Sequence, residues 1–270
     1  MITSQNRRIE QYFIGSASFF LILYAVFIIG ILSSNLFYTD FATMISSFFS
    51  HKTFHSIYLS LGTSILATLA AIIIGIPAGY ALSRFNFPGK RLFDMIINIP
   101  ITLPPLVAGL SLLIFFNTIF GRWIERNIMD FSFTVTGIVL AQFVISASFA
   151  VITLKLTFDE VEESYEIAAR TLGCNRFQAF WKITLPSARY GIASAIILTW
   201  SRAIGEFVPI LLFCGAMEGK TDILPIAIFL NIEVGNLEEA IGLTLIFILL
   251  CLAVLPLAGV LTRKNKAMVE

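Results

Sequence analysis

Charged residues are scarce in this 270-residue sequence: Asp, Glu, Lys and Arg together make up only 13% of it. An ordinary soluble domain contains about 25% of these residues. Apolar side chains make up 57% of the chain, and 26 residues are Phe. A water-soluble fold of this length could not bury so many large apolar side chains. Most of the surface is therefore expected to face lipid.

Cysteine, histidine and net charge are also sparse, and each shortage argues against a class of site. The three cysteines, Cys174, Cys214 and Cys251, are far apart and odd in number, so no disulfide framework is expected. The net charge of +1 provides no field that would attract nucleic acid. His51 and His55 have i, i+4 spacing but no third ligand near them in the sequence, so they do not predict a metal site.

A nucleotide site is not predicted either. The segment Gly215-Ala-Met-Glu-Gly219-Lys-Thr221 is similar in outline to a phosphate-binding loop, but it has three residues between its glycines. A Walker A loop needs four, and it follows a β-strand rather than an apolar span. We therefore expect no cofactor in this chain.

Six stretches carry few or no charges and are long enough to cross about 30 Å of hydrocarbon as helices. They cover approximately residues 12–33, 56–82, 95–119, 132–154, 190–213 and 240–262. The first runs for about 20 residues, longer than the roughly 7–15 apolar residues of a cleaved signal peptide, so it is expected to remain as a span. The sequence predicts an all-α polytopic membrane protein with a single domain over residues 1–270.

The Lys and Arg residues between the spans predict the orientation of the chain. Thirteen of the eighteen lie at the termini and in one set of connections, four lie in the opposite set, and Arg202 falls inside a span. Cytoplasmic connections are enriched in Lys and Arg. Both termini of this multi-pass chain are therefore expected to lie in the cytoplasm.

The longest connection on the predicted cytoplasmic side, residues 157–189, contains both charged and aromatic residues. Its pattern predicts one helix over about 159–172, with Asp159 as its N-cap. Gly173 is expected to end this helix with a turn. A second helix is expected over about 175–184.

The second helix of this connection is predicted to be amphipathic and short. Phe177, Phe180 and Trp181 have the i, i+3, i+4 spacing of one apolar stripe. Pro186 is expected to stop the helix, because proline has no N–H to continue the ladder. An apolar stripe of this kind fits either a partner protein or the lipid surface.

The same connection carries a recognisable motif. Glu166-Ile-Ala-Ala-Arg-Thr-Leu-Gly173, followed by Ile183-Thr-Leu-Pro186, resembles the EAA motif of ABC importer permeases. Glu166 stands one place early, because Ile167 separates it from the alanines. The resemblance implies that this helix–turn–helix docks on a separate ATPase subunit, which binds ATP and Mg²⁺ and drives the membrane helices. The residues implied in this coupling are Glu166, Ala168, Ala169, Gly173, Ile183, Leu185 and Pro186.

Three further stretches are similar to the molybdate, tungstate and sulfate permeases of that family. They are Phe87-Pro-Gly-Lys-Arg-Leu with Ile99 to Gly109, then Ser201 to Phe207, and finally Gly215 to Ile228 with Gly219-Lys-Thr221 and Leu224-Pro225. Val208-Pro209 departs from the pattern, since small residues usually stand there. The resemblance implies an oxyanion substrate, with molybdate or tungstate favoured over sulfate or thiosulfate.

The resemblance also implies the partners of the chain in the cell membrane. They are ABC ATPase subunits, a second permease copy and an extracytoplasmic substrate-binding protein. Gly219, Lys220 and Thr221, in the last external loop, are expected to contact the binding protein. One EAA loop per chain favours a homodimer, and a heterodimer with a sister permease stays open.

Arg202 and Glu206 are the only charges inside the predicted spans. Charges in a bilayer are costly and usually face the bundle interior or a water-filled path. At i, i+4 the two can neutralise each other on one helix face. Two interpretations stay open: an ion pair that fixes helix packing, or an arginine beside the anion path whose charge the glutamate moderates.

Pro100, Pro104 and Pro105 predict a kink in the third span, near the translocation path or in the bundle interior. The kink is either a packing bend or a pivot for alternating access. An ion-coupled secondary carrier is the rival transporter, and it would show paired broken helices with intramembrane acids. A membrane enzyme would need a nucleophile or metal cluster, which the sequence does not display.

Overall fold

The computed structural model describes residues 2–35 and 50–266, and no β-strand occurs within these two ranges. Five basic residues that entered the predicted orientation lie outside the described side chains: Arg7, Arg8, Arg263, Lys264 and Lys266. A π-helical turn, Phe180–Thr184, joins two short helices, Arg176–Ala179 and Leu185–Ser187. The helices in chain order are α1 (Ile2–Ser34), α2 (His51–Arg84), α3 (Lys90–Thr102), α4 (Pro105–Asn117), α5 (Ile119–Asn127), α6 (Val135–Asp159), α7 (Glu163–Thr171), α8 (Arg176–Ala179), α9 (Leu185–Ser187), α10 (Arg189–Ile204), α11 (Val208–Cys214), α12 (Leu224–Glu233) and α13 (Leu237–Lys266).

Among the described residues, four helices are long and apolar enough to cross a membrane alone: α1, α2, α6 and α13. Two further spans are pairs of helices that bend at a short break, α3 with α4 at 108° and α10 with α11 at 56°. With each pair taken as one span, the described chain has up to six. The all-α polytopic fold predicted from the sequence is confirmed.

The kink predicted in the third span is a bend of 108° between two separate helices, and consecutive prolines explain it. A residue that precedes proline is disfavoured in the helical region, and this applies both to Leu103 and to Pro104. Both have ψ near +135°, so α3 ends before them and α4 starts afresh at Pro105. Pro100 lies within α3 without ending it.

Small residues bring α2 against α6 at the centre of the bundle. Ala67, Ala71, Gly75 and Gly79 recur at every fourth position of α2, and all four are buried. A Cβ on Gly79 would lie 2.9 Å from the backbone nitrogen of Lys155 in α6. Small residues at such spacing let membrane helices approach closely. Helix α10 packs against both α2 and α6.

The two ends of the bundle differ in what they carry. At the loop end, α2 and α6 finish, α10 begins, and the 160–188 loop lies against them. The opposite end holds the start of α2 and the turn after α11. There, α12 replaces part of the last external loop, which was predicted between the spans over 190–213 and 240–262. Leu224 and Ile226 of α12 are fully buried. The backbone N–H of Leu224 donates to Ser60 Oγ of α2 at 2.7 Å.

Candidate functional site

The first helix of the 160–188 loop begins later than the sequence predicts. Asp159 is not its N-cap, because Asp159 is the last residue of α6 and its carboxylate accepts a hydrogen bond from Ser83 at 2.5 Å. Helix α7 starts at Glu163, and its first turn contains Glu163 and Glu166. Acids at this position are favoured by the helix dipole.

Gly173 makes the turn after α7, as predicted. Its φ is +95°, a region that L side chains rarely adopt. The N–H of Gly173 donates to Arg170 O, and the N–H of Cys174 donates to Ala169 O, both at 3.1 Å. No heavy atom lies within 4 Å of a Cβ at Gly173. The backbone conformation, rather than crowding, therefore requires glycine here.

The second helix of the loop does not stop at Pro186, so that prediction was wrong. Asn175 and Gln178 form a reciprocal capping box at its start, with bonds of 2.8 and 3.0 Å. After Ala179 the chain widens into the π-helical turn, in which the N–H of Leu185 donates to Phe180 O. This widened turn carries the chain past the proline, which offers no donor.

The three aromatic residues of this helix do not form one stripe, which corrects a second prediction. Phe180 points inward, 4.6 Å from the ring of Tyr80 between centroids and 6.2 Å from Phe158. Phe177 and Trp181 are 70% and 53% exposed and contact each other edge to face. Phe180 therefore lies on the inner side of the helix, and only Phe177 and Trp181 remain on its outer face.

Glu166 faces inward, away from the outer face of the loop. Its Oε1 accepts hydrogen bonds from Arg84 Nε at 3.1 Å and from Thr184 Oγ1 at 2.6 Å. Its Oε2 accepts from Tyr80 Oη at 2.9 Å. The side chains of Glu166 and Arg84 are only 10% and 9% exposed. Glu166 therefore makes its hydrogen bonds within this chain, and its buried side chain does not face a partner.

The other motif residues divide between the two faces of the loop. Ala169 is buried, and Ile183 and Leu185 are half-buried. Ala168 and Pro186 are exposed. The motif thus supplies both the packing under the loop and part of its outer surface.

Arg202 and Glu206 form an ion pair through Nη1 and Oε1. They do not share a continuous helix, because α10 ends at Ile204 and Glu206 lies in the break before α11. The two side chains differ in exposure: 39% for Arg202 and 3% for Glu206. The carboxylate is thus enclosed by the bundle, while the guanidinium keeps an open side.

Pro104 and Pro105 do not lie in the bundle interior of this chain, since both are exposed.

Two polar residues that were not predicted from the sequence lie in the bundle interior. The side-chain amide of Gln142 in α6 and the hydroxyl of Thr199 in α10 are buried and have no hydrogen-bond partner among the described residues. Such groups are rare in folded proteins. A lone amide in an apolar span was the available signal.

At the opposite end, Gly219 and Lys220 are exposed but Thr221 is buried. Thr221 Oγ1 accepts from Met217 N–H at 3.0 Å and donates to Gly215 O at 3.1 Å. Thr221 thus closes the turn from inside, and the prediction that it contacts a partner directly is wrong.

A cavity of about 730 Å³ lies beside this turn. Lys52 and Glu218 pair at 2.5 Å between Nζ and Oε1, and both line the cavity. The carboxylate of Asp222, 3.5 Å from His55 Nε2, lines it more deeply. Among the described residues, no group of three or more His, Cys, Asp or Glu side chains is placed to hold a metal ion.

The sequence is similar to those of membrane components of transport systems. Residues 71–266 match the family described as binding-protein-dependent transport system inner membrane component. The chain is 34% identical to the molybdenum transport system permease protein ModB of Escherichia coli, over 78% of this chain and 94% of that protein. It is 28% identical to the sulfate transport system permease protein CysW of Synechocystis, over 96% and 94%. It is 38% identical to the molybdate/tungstate transport system permease protein WtpB of Thermococcus kodakarensis, over 60% and 63%.

Solved structures share the fold. A chain of a bacterial alginate ABC transporter, in complex with an alginate pentasaccharide-bound periplasmic protein, aligns with a TM-score of 0.72 at 16% identity, over 97% of this chain and 96% of that one. A chain of the MetNI methionine ABC transporter aligns with a TM-score of 0.61 at 17% identity, over 78% and 94%. At these identities the likeness concerns the fold alone.

Proposed function

The chain belongs to the family of binding-protein-dependent transport system inner membrane components, and we propose that it is the permease subunit of an ATP-driven ABC importer for an oxyanion. The family match over residues 71–266 carries the proposal, and it includes the 160–188 loop with its Gly173 turn. The chain is a transport subunit rather than an enzyme, as its relatives are permease proteins of transport systems. ATP and Mg²⁺ would bind to the separate ATPase subunit.

The outer face of the 160–188 loop is the surface that we assign to the ATPase subunit. Leu172, just after α7, is 87% exposed, and Phe177 and Trp181 are largely exposed on the helix that follows. Several exposed apolar side chains on one loop mark an interaction surface. Ala168 lies on the exposed side of α7 and would allow close approach. The lipid surface is the alternative partner for these side chains.

A tetrahedral oxyanion is the substrate class that we propose, with molybdate or tungstate first and sulfate or thiosulfate second. The relatives named above carry molybdenum, molybdate/tungstate or sulfate in their names, which supports the class. The half-exposed guanidinium of Arg202 can donate paired hydrogen bonds to such an anion. Its partner Glu206 would keep anion binding weak enough for release.

The remaining partners follow from surfaces that this chain leaves open. None of the spanning part of α1, Tyr12–Ser34, is buried within the chain, so it is free to contact lipid or a second permease copy. The exposed Gly219 and Lys220 lie next to the cavity at the opposite end. We assign this face to the extracytoplasmic binding protein. The loop end and both termini would then lie in the cytoplasm.

An ion-coupled carrier remains the rival function, and the bent spans do not separate the two. Two such spans occur in the described part of the chain, a feature that also occurs in secondary carriers. The energy source distinguishes them. A carrier would use an ion gradient, whereas the proposed importer needs ATP and a binding protein.

Reconstitution tests the proposal. The chain would be purified with its co-purifying ATPase subunit and placed in proteoliposomes, with the binding protein added outside and ATP enclosed. We expect uptake of radiolabelled molybdate, tungstate or sulfate only when ATP and the binding protein are both present. Omission of either is the control. Uptake by the chain alone under a proton or sodium gradient would overturn the proposal.

A further inference from the structure

Arg84, at the end of α2, bonds to two separate parts of the 160–188 loop. Its Nε donates to Glu166 in the first turn of α7, at 3.1 Å from Oε1. Its Nη2 donates to the carbonyl oxygen of Val161, in the connection between α6 and α7. Its Nη1 lies 3.5 Å from Ser83 Oγ. One guanidinium therefore joins the last turn of α2 to both the start of the loop and its first helix.

The same contact region includes one more residue of α2 and one residue from the second half of the loop. Tyr80, one turn before Arg84, donates a hydrogen bond to Glu166 Oε2. Thr184 of the π-helical turn donates to Glu166 Oε1, the oxygen that also accepts from Arg84. The ring of Tyr80 also packs against Phe158 and Phe180. Glu166 is thus the point at which α2, α7 and the π-helical turn meet.

We propose that Arg84 is a positioning residue, whose buried ion pair with Glu166 makes the 160–188 loop and α2 move as one body. This inference rests on the proposed function, because it concerns how a movement of the loop reaches the membrane helices. Helix α2 packs against α6, α10 and α12, so a displacement of α2 reaches several parts of the bundle. Without the pair, the links left between α2 and the loop would be the hydrogen bonds of Tyr80 to Glu166 and of Arg84 to Val161 and the packing of Tyr80 on Phe180. The loop would otherwise act only through its chain connections to α6 and α10.

The chemistry of the pair favours a rigid link over a direct contact between Glu166 and a partner. Both carboxylate oxygens of Glu166 already accept hydrogen bonds within this chain. Removing one partner of a buried ion pair leaves an uncompensated charge, so the pair resists separation. Arginine suits this position because its fixed fork reaches two acceptors, whereas lysine offers a single point charge.

The test compares Arg84→Gln with a matched variant, Asp94→Asn. The Asp94 carboxylate pairs with Lys155 Nζ at 2.9 Å and joins α3 to α6, and both residues lie outside the 160–188 loop. Both variants would be assayed in the proteoliposomes described above, for ATPase-subunit binding and for anion imported per ATP hydrolysed. We expect Arg84→Gln to lower the imported anion per ATP by about fivefold or more, with ATPase binding close to that of the unaltered chain. Asp94→Asn should leave the ratio unchanged.

Glu166→Gln and the double variant Arg84→Gln/Glu166→Gln show whether the lower ratio depends on the ion pair. If Glu166 acts through Arg84, Glu166→Gln should reproduce the lower ratio, and the double variant should be no worse than either single variant. Arg84→Lys should recover part of the ratio. Loss of ATPase binding in Glu166→Gln but not in Arg84→Gln would mean a direct contact with the ATPase and would overturn the inference.

Two milder variants decide the question if the charged ones do not fold. Tyr80→Phe and Thr184→Val each keep the side-chain volume and remove one hydrogen bond to Glu166. We expect each to lower the imported anion per ATP by about twofold or more, and an unchanged ratio in both would overturn the inference. Absence of ATP-dependent import by the unaltered chain would instead refute the proposed function.

Discussion

The Cα atom of Pro209 lies 2.7 Å from the point that a Cβ on Gly109 would occupy. Gly109 belongs to α4 and Pro209 to α11, so this contact brings together the second halves of both bent spans. A contact at that distance leaves no room for any side chain. The close contact between Gly109 and Pro209 therefore fixes the position of one bent span relative to the other.

Gly109→Ala is expected to destabilise the chain by about 1–3 kcal/mol, because the methyl group would force α4 away from α11. Gly62→Ala in α2 is the matched control, since no heavy atom lies within 4 Å of a Cβ there. The control should be neutral or slightly stabilising, by up to about 1 kcal/mol. Thermal unfolding of the detergent-purified variants measures both. Equal melting temperatures for the two variants would contradict the close approach.

Gly173→Val should leave the chain inserted and folded but uncouple it, because a β-branched residue cannot readily adopt a φ of +95°. We expect weaker ATPase binding or ATP hydrolysis without import. Gly173→Asn is the control, since Asn tolerates left-handed backbone conformations best after glycine. It should retain more import than the valine variant in the proteoliposome assay. Normal import by Gly173→Val would remove the coupling role from this turn.

Because Arg202 and Glu206 differ in exposure, replacing each one alone should lower the stability by a different amount. Arg202→Ala leaves a carboxylate buried without a partner and should cost about 3–5 kcal/mol. Glu206→Ala leaves a guanidinium that is 39% exposed, so it should cost less. The double variant should recover most of the stability, as measured by thermal unfolding.

Import by the Arg202→Ala/Glu206→Ala double variant separates packing from permeation. If Arg202 lines the anion path, the double variant should be stable but inactive, and Arg202→Lys should keep part of the activity. The open side of the guanidinium favours this outcome. A stable double variant with normal uptake would assign the pair to helix packing alone.

A cysteine at Lys220 should crosslink to the external binding protein in the ATP-bound state, because this residue is exposed beside the cavity. Thr221→Cys is the adjacent control, and it should not react because that side chain is buried in the turn. Crosslinked products would be identified by mass spectrometry. Crosslinks from Lys220→Cys to the ATPase subunit would reverse the proposed orientation.

Glu125, in the short helix α5, makes one connection sensitive to pH. Its carboxylate accepts hydrogen bonds from the backbone N–H of Phe131 at 3.2 Å and of Ser132 at 2.7 Å. Burial raises the pKa of Glu125, but these hydrogen bonds outweigh it and hold the pKa below its ordinary value of 4.5. The ionised form therefore stabilises the fold above that value, and the contribution is lost as the pH falls through the lower folded pKa.

Glu125→Gln keeps an acceptor oxygen but cannot ionise. We expect the unaltered chain to be more stable than this variant at neutral pH, by less than about 1 kcal/mol because the site is partly exposed. The difference should shrink as the pH falls below 4.5. Melting temperatures of both proteins over this pH range provide the measurement. A difference that does not change with pH would contradict the hydrogen-bonded carboxylate.

Composition and local pattern determined the class of fold and the position of the 160–188 loop. Long apolar stretches can be satisfied only by lipid or by a bundle, so the spans follow from counting residues. The turn at Gly173 was also predictable from the sequence, because a glycine after an amphipathic segment is a local signal for the end of a helix. The EAA-like spacing then indicated the family.

The tertiary structure alone decided which side chains face which way. The predicted stripe of Phe177, Phe180 and Trp181 was wrong because Phe180 packs inward against Tyr80 and Phe158. Residue spacing does not show which side of a helix meets the rest of the protein. Glu166 belongs to a motif, but two of its three hydrogen-bond partners, Arg84 and Tyr80, lie more than eighty residues earlier. The sequence contains these residues without showing that they meet, because a buried ion pair depends on how distant helices pack.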